Sequence, residues 1–154
     1  MRHRRRSRSA GFAAATPLTE RLGTDHEQAK EEALTMTTNT HTALLRRAYA
    51  AFNARDVEAG VALMDPDVDW PNVAEGGLVH GRDAVREHWR DQFGQADLRI
   101  DVSEVTTRID GRVEARVRQT VRSLDGAELS DDQMIHVFTI TDGLIKRMEV
   151  ETTP

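Results

Sequence analysis

Residues 134–148 read MIHVFTITDGLIKRM. Two largely apolar runs flank Asp142-Gly143, a pair that tolerates positive φ, so the stretch predicts a β-hairpin. Side chains alternate along a strand, which puts Met134, His136, Phe138 and Ile140 on one side. That side is apolar except for His136. Register decides what faces it, because a slip of one residue turns every side chain to the opposite face. A two-residue turn at Asp142-Gly143 sets His136 against Glu149 and mixes Arg147, Glu149 and Glu151 into the apolar side. A three-residue loop, Thr141-Asp142-Gly143 with a glycine bulge, sets His136 against Met148, Met134 against Val150 and Ile140 against Leu144. The second arrangement leaves one nearly clean apolar face and is the expected register.

The strand before it agrees. With Asp125-Gly126 as a two-residue turn, Ala115 faces His136, Val117 faces Met134 and Gln119 faces Asp132. Glu114, Arg116, Arg118 and Arg122 then form an outer face that is solvated or covered by another chain. Asp110-Gly111 marks a further turn, preceded by an alternating strand through Leu98, Ile100 and Val102. The first half of the chain reads as helical. Leu45, Ala48, Tyr49 and Phe52 share one stripe of a helix from Thr42 to Asn53. Asp56 caps a short helix reaching Met64. Val68-Asp69-Trp70 is a short strand stopped by Pro71. A third helix runs from Arg82 to Phe93, with Val85, Trp89 and Phe93 (or Gln92) inward and Gly94 as its stop. Three helices followed by an antiparallel meander make an α+β fold, helices gathered on one side of a curved sheet.

The chain has 154 residues, which suits one domain. It is 38% hydrophobic and 31% charged, enough for a modest core and too polar for a membrane protein. The absence of cysteine excludes disulfides and thiolate metal sites and agrees with a reducing, cytoplasmic setting. A net charge of −5 argues against a nucleic-acid partner for the folded part. Residues 1–35 carry seven Lys/Arg against five acids. Their apolar stretch, GFAAA, is too short for an export signal. Met36 opens MTTNTHTALLRRAYAAF, a polar leader before a helix. Residues 1–36 therefore read as a disordered or non-native extension, and residues 37–154 as the domain.

Several local features carry a family resemblance. They are Ala50-Ala51-Phe52-Asn53-Ala54-Arg55-Asp56 after the first helix, Val68-Asp69-Trp70-Pro71, His80-Gly81-Arg82-Asp83-Ala84-Val85-Arg86-Glu87, and the final Asp142-Gly143-Leu144-Ile145 turn. In this order they resemble the SnoaL-like and ketosteroid isomerase-like branches of the nuclear transport factor 2-like superfamily, over residues 40–151. The resemblance implies a cystatin-like α+β roll: a cone-shaped, curved, mostly antiparallel sheet wrapped around three helices, with a deep apolar pocket. It also implies frequent dimerisation, here a homodimer through the sheet. Ketosteroid isomerases place an oxyanion-binding tyrosine where this chain has Ala48, one step from Tyr49. Their base, an aspartate before a proline, is matched by Trp70. Their second acid aligns with His136. SnoaL-type polyketide cyclases carry an acid–base aspartate seven residues before the turn glycine, where this chain has His136. The positions are kept and the residue types are not.

His136 therefore has two readings. In one it is a general acid or base in an apolar pocket, since histidine titrates near neutrality. In the other it is a core histidine bonded to Tyr49 or to water. Tyr49 is the candidate hydrogen-bond donor. Asp132 is a weaker candidate, because four residues of strand, about 13 Å, separate it from His136. Trp70, Trp89, Ala115, Val117, Gln119, Met134, Phe138 and Met148 are the expected pocket walls, with plain core packing as their alternative. No metal-ligand spacing is evident and no cofactor is expected. The expected ligand is a small apolar molecule, with no nucleic-acid or membrane partner. The expected function is acid/base chemistry of the isomerase or cyclase type on a carbonyl-containing polyketide-, steroid- or terpenoid-like substrate. The alternative is a non-catalytic binding or dimeric accessory module.

Overall fold

The computed structural model describes residues 6–153, with side chains from Glu27 onward. The chain divides into two units that part between Asn39 and Thr40, and the second carries the sheet. Helix α1 is continuous from Arg6 to Asn53, so the expected start at Thr42 is not a boundary. Threonines disfavour a helix without breaking it, and the Thr37 hydroxyl donates back to the Ala33 carbonyl at 2.9 Å. The expectation for residues 1–36 falls largely on residues whose side chains lie outside those described.

Within the second unit, the inward stripe of α1 is the expected one: Leu45, Ala48, Tyr49 and Phe52 are all buried. Helix α2 spans Val57–Val61, and its N-cap Asp56 accepts from the Ala59 backbone N–H. Strand β1 (Met64–Pro71) starts earlier than expected, through Asp65-Pro66-Asp67. It pairs with a short β2 (Leu78–His80) that the sequence reading missed. Helix α3 runs Arg82–Gln95, past Gly94, so that glycine does not end it. Strands β3 (Asp97–Thr107), β4 (Val113–Arg122), β5 (Glu128–Thr141) and β6 (Leu144–Thr152) complete one six-stranded sheet, in the order β2-β1-β6-β5-β4-β3. Only the β1–β6 pair is parallel.

The hairpin turns correct the sequence reading in an informative way. At β5–β6 the turn is the two-residue type, with Thr141 opposite Leu144 and both Asp142 (φ 54) and Gly143 (φ 78) left-handed. A bulge at Lys146 then shifts the register, so His136 faces Val150 and Phe138 faces Met148. At β4–β5 the opposite happens. A three-residue loop, in which Ser123 N–H donates to Ala127 O at 2.8 Å, replaces the expected two-residue turn. A bulge between Val121 and Arg122 then restores the expected pairs Ala115–His136, Val117–Met134 and Gln119–Asp132. An extra residue in one strand is cheap beside exposing a whole apolar face, so bulges correct what the turns displace.

The inner face holds Val113, Ala115, Val117, Phe138, Ile145 and Met148, packed with the helices in one core. The outer face is more structured than its charge pattern implies. Ile135 and Val137 are buried there. Ion pairs run across the same face, Arg108 to Glu114 (3.1 Å) and Glu151 (2.8 Å), and Arg112 to Glu149 (3.6 Å). Among the described residues, no helix is long and apolar enough to cross a membrane.

Edge strand β3 is tied down by Asn53. Its Nδ2 donates to the Ile100 carbonyl at 2.8 Å, and its Oδ1 accepts from the Ile100 N–H at 2.9 Å. These backbone groups point off the sheet edge and would otherwise lack a ladder partner. Asn53→Ala is therefore expected to destabilise the fold by about 1–3 kcal/mol, and Asn53→Asp, which sets a carboxylate oxygen against the Ile100 carbonyl, by at least as much, both measured by urea unfolding.

Candidate functional site: an aromatic cavity with a buried tyrosine–histidine pair

A cavity of about 100 Å³ opens between the helices and the inner face of the sheet. Helix α1 contributes Ala48, Tyr49 and Phe52, which its 3.6-residue period sets side by side. Met134, His136 and Phe138 come from alternate positions of β5, with Met148 and Val150 beside them on β6. Trp70 and Pro71 end β1 at one wall, and Trp89 and Gln92 of α3 form another. Leu98, Ile100 and Gln119 close the β3–β4 side, and the exposed Val73 marks the mouth. No carboxylate, lysine or arginine is among these described lining residues.

The structure brings Tyr49 and His136 together. The phenol oxygen lies 2.7 Å from His136 Nδ1, both residues are buried, and their rings lie nearly parallel with centroids 5.9 Å apart. Phe138 meets both rings edge-on. Burial without a compensating charge pushes the His136 imidazole down to about 4 and the Tyr49 phenol well above its usual range. Both groups are therefore neutral at pH 7. One proton lies between them: either Tyr49 O–H donates to Nδ1 and Nε2 carries the ring hydrogen, or Nδ1–H donates to the phenol oxygen. Nε2 makes no hydrogen bond among the described residues and is left to the cavity.

The other expected site residues divide. Trp70, Trp89, Gln119, Met134, Phe138 and Met148 line the cavity. Ala115 and Val117 do not. They are sealed in the core, and their longer cross-strand partners His136 and Met134 reach the cavity instead. Asp132 is exposed, lies off the cavity, and is not brought to His136. Helical spacing points Phe52 and Gln92 inward without placing them at a cavity, and Val73 carries no such signal; all three line the wall. Elsewhere, His80 pairs with Asp69 at 2.7 Å in an exposed position. Among the described residues, no three His, Asp or Glu side chains gather as metal ligands.

Residues 45–148 match the SnoaL-like domain. The chain belongs to this family. Its fold recurs in solved structures. A nuclear transport factor 2-like protein of unknown function from Burkholderia pseudomallei has TM-score 0.64 and 23% identity, over 74% of this chain and 91% of that one. A protein from Xanthomonas campestris proposed to be a polyketide cyclase has TM-score 0.64 and 23% identity, over 75% and 92%. TerC, co-crystallised with polyporic acid, has TM-score 0.64 and 26% identity, over 74% and 92%. No curated protein matches this SnoaL-like domain significantly.

The buried pair makes two measurable predictions. Tyr49→Phe strands the Nδ1 atom of His136 and is expected to cost about 1–3 kcal/mol by urea unfolding, more than removal of both partners in Tyr49→Phe/His136→Phe. The folded His136 holds its proton more weakly than the unfolded chain, whose imidazole titrates near 6.5. Acid therefore favours unfolding: stability is full above pH 6.5 and falls as pH drops toward about 4. Thermal denaturation from pH 7 to pH 4 is expected to show an acid limb of about 3 kcal/mol, missing from the double variant.

Proposed function

We propose that this SnoaL-like domain binds a small, largely apolar molecule carrying a carbonyl oxygen, with that oxygen held at His136 Nε2. The observation that carries the reading is the neutral Tyr49–His136 pair buried in the wall of an aromatic cavity. A neutral imidazole held at Nδ1 by the phenol presents Nε2–H as a fixed donor. Such a donor polarises a carbonyl without bringing a charge into the apolar site. Five aromatic rings and two methionines supply the apolar contact, the usual composition of a small-molecule pocket.

Isomerase- or cyclase-type chemistry on a polyketide-, steroid- or terpenoid-like ketone is the finer reading. Its support is the placement of His136 at the family's acid–base position and the open Nε2. In the tautomer with Nδ1–H donating to Tyr49, Nε2 is the base for a proton beside the carbonyl. A histidine pushed down to about 4 is a weak base, and no carboxylate lines the described cavity to replace it. These facts favour binding over turnover. The same reading pairs two copies through the outer sheet face, where Ile135 and Val137 lie among Arg–Glu pairs, and places the protein in the cytoplasm.

NMR of the His136 ring nitrogens tests the reading, recorded from pH 5 to 8 with and without aromatic and terpenoid ketones. The expected result is a ring that stays neutral across the range and an Nε2 resonance that moves when a ketone is added. A ring indifferent to every ketone sinks the binding proposal. Deuterium uptake at the carbon beside the carbonyl, present in the wild type and absent in His136→Phe, identifies turnover. Binding without uptake leaves the non-catalytic module.

A further inference from the structure

The cavity wall carries two amides that the Tyr49–His136 pair does not explain, Gln92 of α3 and Gln119 of β4. Neither side chain has a hydrogen-bond partner among the described residues. Among those residues, polar side-chain atoms that are both sealed and unpartnered occur only at His41 and Trp89. The half-buried amides of Gln92 and Gln119 are therefore open rather than sealed, and so is His136 Nε2. An amide carries donors and an acceptor, and leaving them dry and unpaired costs free energy. A molecule that fills the cavity displaces water from this wall and must offer those atoms partners.

Register fixes where Gln119 stands relative to His136. Ala115 lies opposite His136, and Gln119 follows it on the same inner face of β4 after two full strand periods. That length of strand is about 13 Å. Side chains on one sheet face stand roughly perpendicular to it, so their tips keep about the same spacing. A hydrogen bond of about 2.9 Å at each end leaves about 7–9 Å between the two ligand atoms. The neighbours of Gln119 do not satisfy it. Val117 and Val121 flank it along the inner face, Ile100 faces it on β3, and Asp132 on β5 makes no hydrogen bond with it. Between the two polar points the sheet presents Met134, an apolar stretch of the same wall.

We propose that Gln119 is the second polar anchor of the cavity and sets the length of the ligand. The inference rests on the ligand-binding reading above and deepens it. The ligand is an elongated apolar molecule with an oxygen at each end. One is the carbonyl at His136. The other is a hydroxyl or second carbonyl about 7–9 Å away, bonded to the Gln119 amide. No charged side chain lines the described cavity, so neither end is an ion. An analogue without the far oxygen leaves the amide unmatched, which is how sites built on polar groups reject such analogues.

The probes are 2-acetylnaphthalene and 6-hydroxy-2-acetylnaphthalene. They share the ketone, and the second adds a hydroxyl at about the required separation. Both are expected to move the His136 Nε2 resonance in NMR, and only the hydroxyketone to move the Gln119 side-chain amide signals. The hydroxyketone is expected to bind roughly tenfold more tightly than the ketone. Gln119→Met keeps the length of the side chain and removes the amide. It is expected to erase that tenfold advantage and to leave binding of 2-acetylnaphthalene unchanged, which also shows that the variant is folded. Equal binding of the two probes by the wild type overturns the Gln119 assignment and leaves the cavity reading intact, because the amide then stays with water. Erasure of the advantage by Gln92→Met and not by Gln119→Met overturns it too. Failure of both probes to move the His136 resonance overturns the binding reading and this inference with it.

Discussion

The sheet can present only one face to the helices, and the structure bends to that requirement wherever local geometry conflicts with it. The β5–β6 turn, taken alone, would carry Arg147, Glu149 and Glu151 into the core. One extra residue at Lys146 returns Met148 and Val150 to the inner face. A second bulge near Arg122 does the same after the β4–β5 loop. Each bulge disturbs one ladder position. Each avoids exposing several apolar side chains, and a buried side chain of this size is worth about 1.5–3 kcal/mol. Turn chemistry is therefore subordinate to facial pattern throughout the meander.

His136 is the exception that the inner face tolerates, and its cost explains its surroundings. An imidazole in an apolar core must be neutral and must find a partner. Tyr49 meets the second condition at 2.7 Å, and burial enforces the first, with no carboxylate among the described residues of the cavity wall to offset it. The result is a polar pair with no net charge, sealed on one side by Phe138 and open on the other to a small cavity. Such a pair suits the recognition of a neutral oxygen better than the capture of an ion.

The fold was legible because its signals are repeated. Period-two alternation recurs in β3, β4, β5 and β6, and the helix stripe at Leu45, Ala48, Tyr49 and Phe52 needs no tertiary information. The pairing Ala115–His136 was also recoverable, since the core face of β4 leaves few alternatives. The exact turns were not, because Asp-Gly suits both a two-residue turn and the end of a three-residue loop. Strand β2 was missed because three residues after a glycine-rich loop carry almost no periodic signal. Ala115 and Val117 were misplaced for a different reason. Facing the core and reaching a cavity are separate properties, and side-chain length decides between them.

The sequence by itself determined the α+β class, the inner and outer faces, the family, and the position of one histidine on an apolar strand. Those properties follow from the order of residue types along the chain, which local geometry reads directly. Tertiary structure alone decided that Tyr49, 87 residues away in sequence, is the partner of His136. It alone decided that Asp132 is not, and that Gly60 seats Trp89 with its nitrogen unpaired. These contacts join residues on separate elements. They depend on how far a helix slides along a sheet and how two helices meet, and those distances are set by the packing of the whole core.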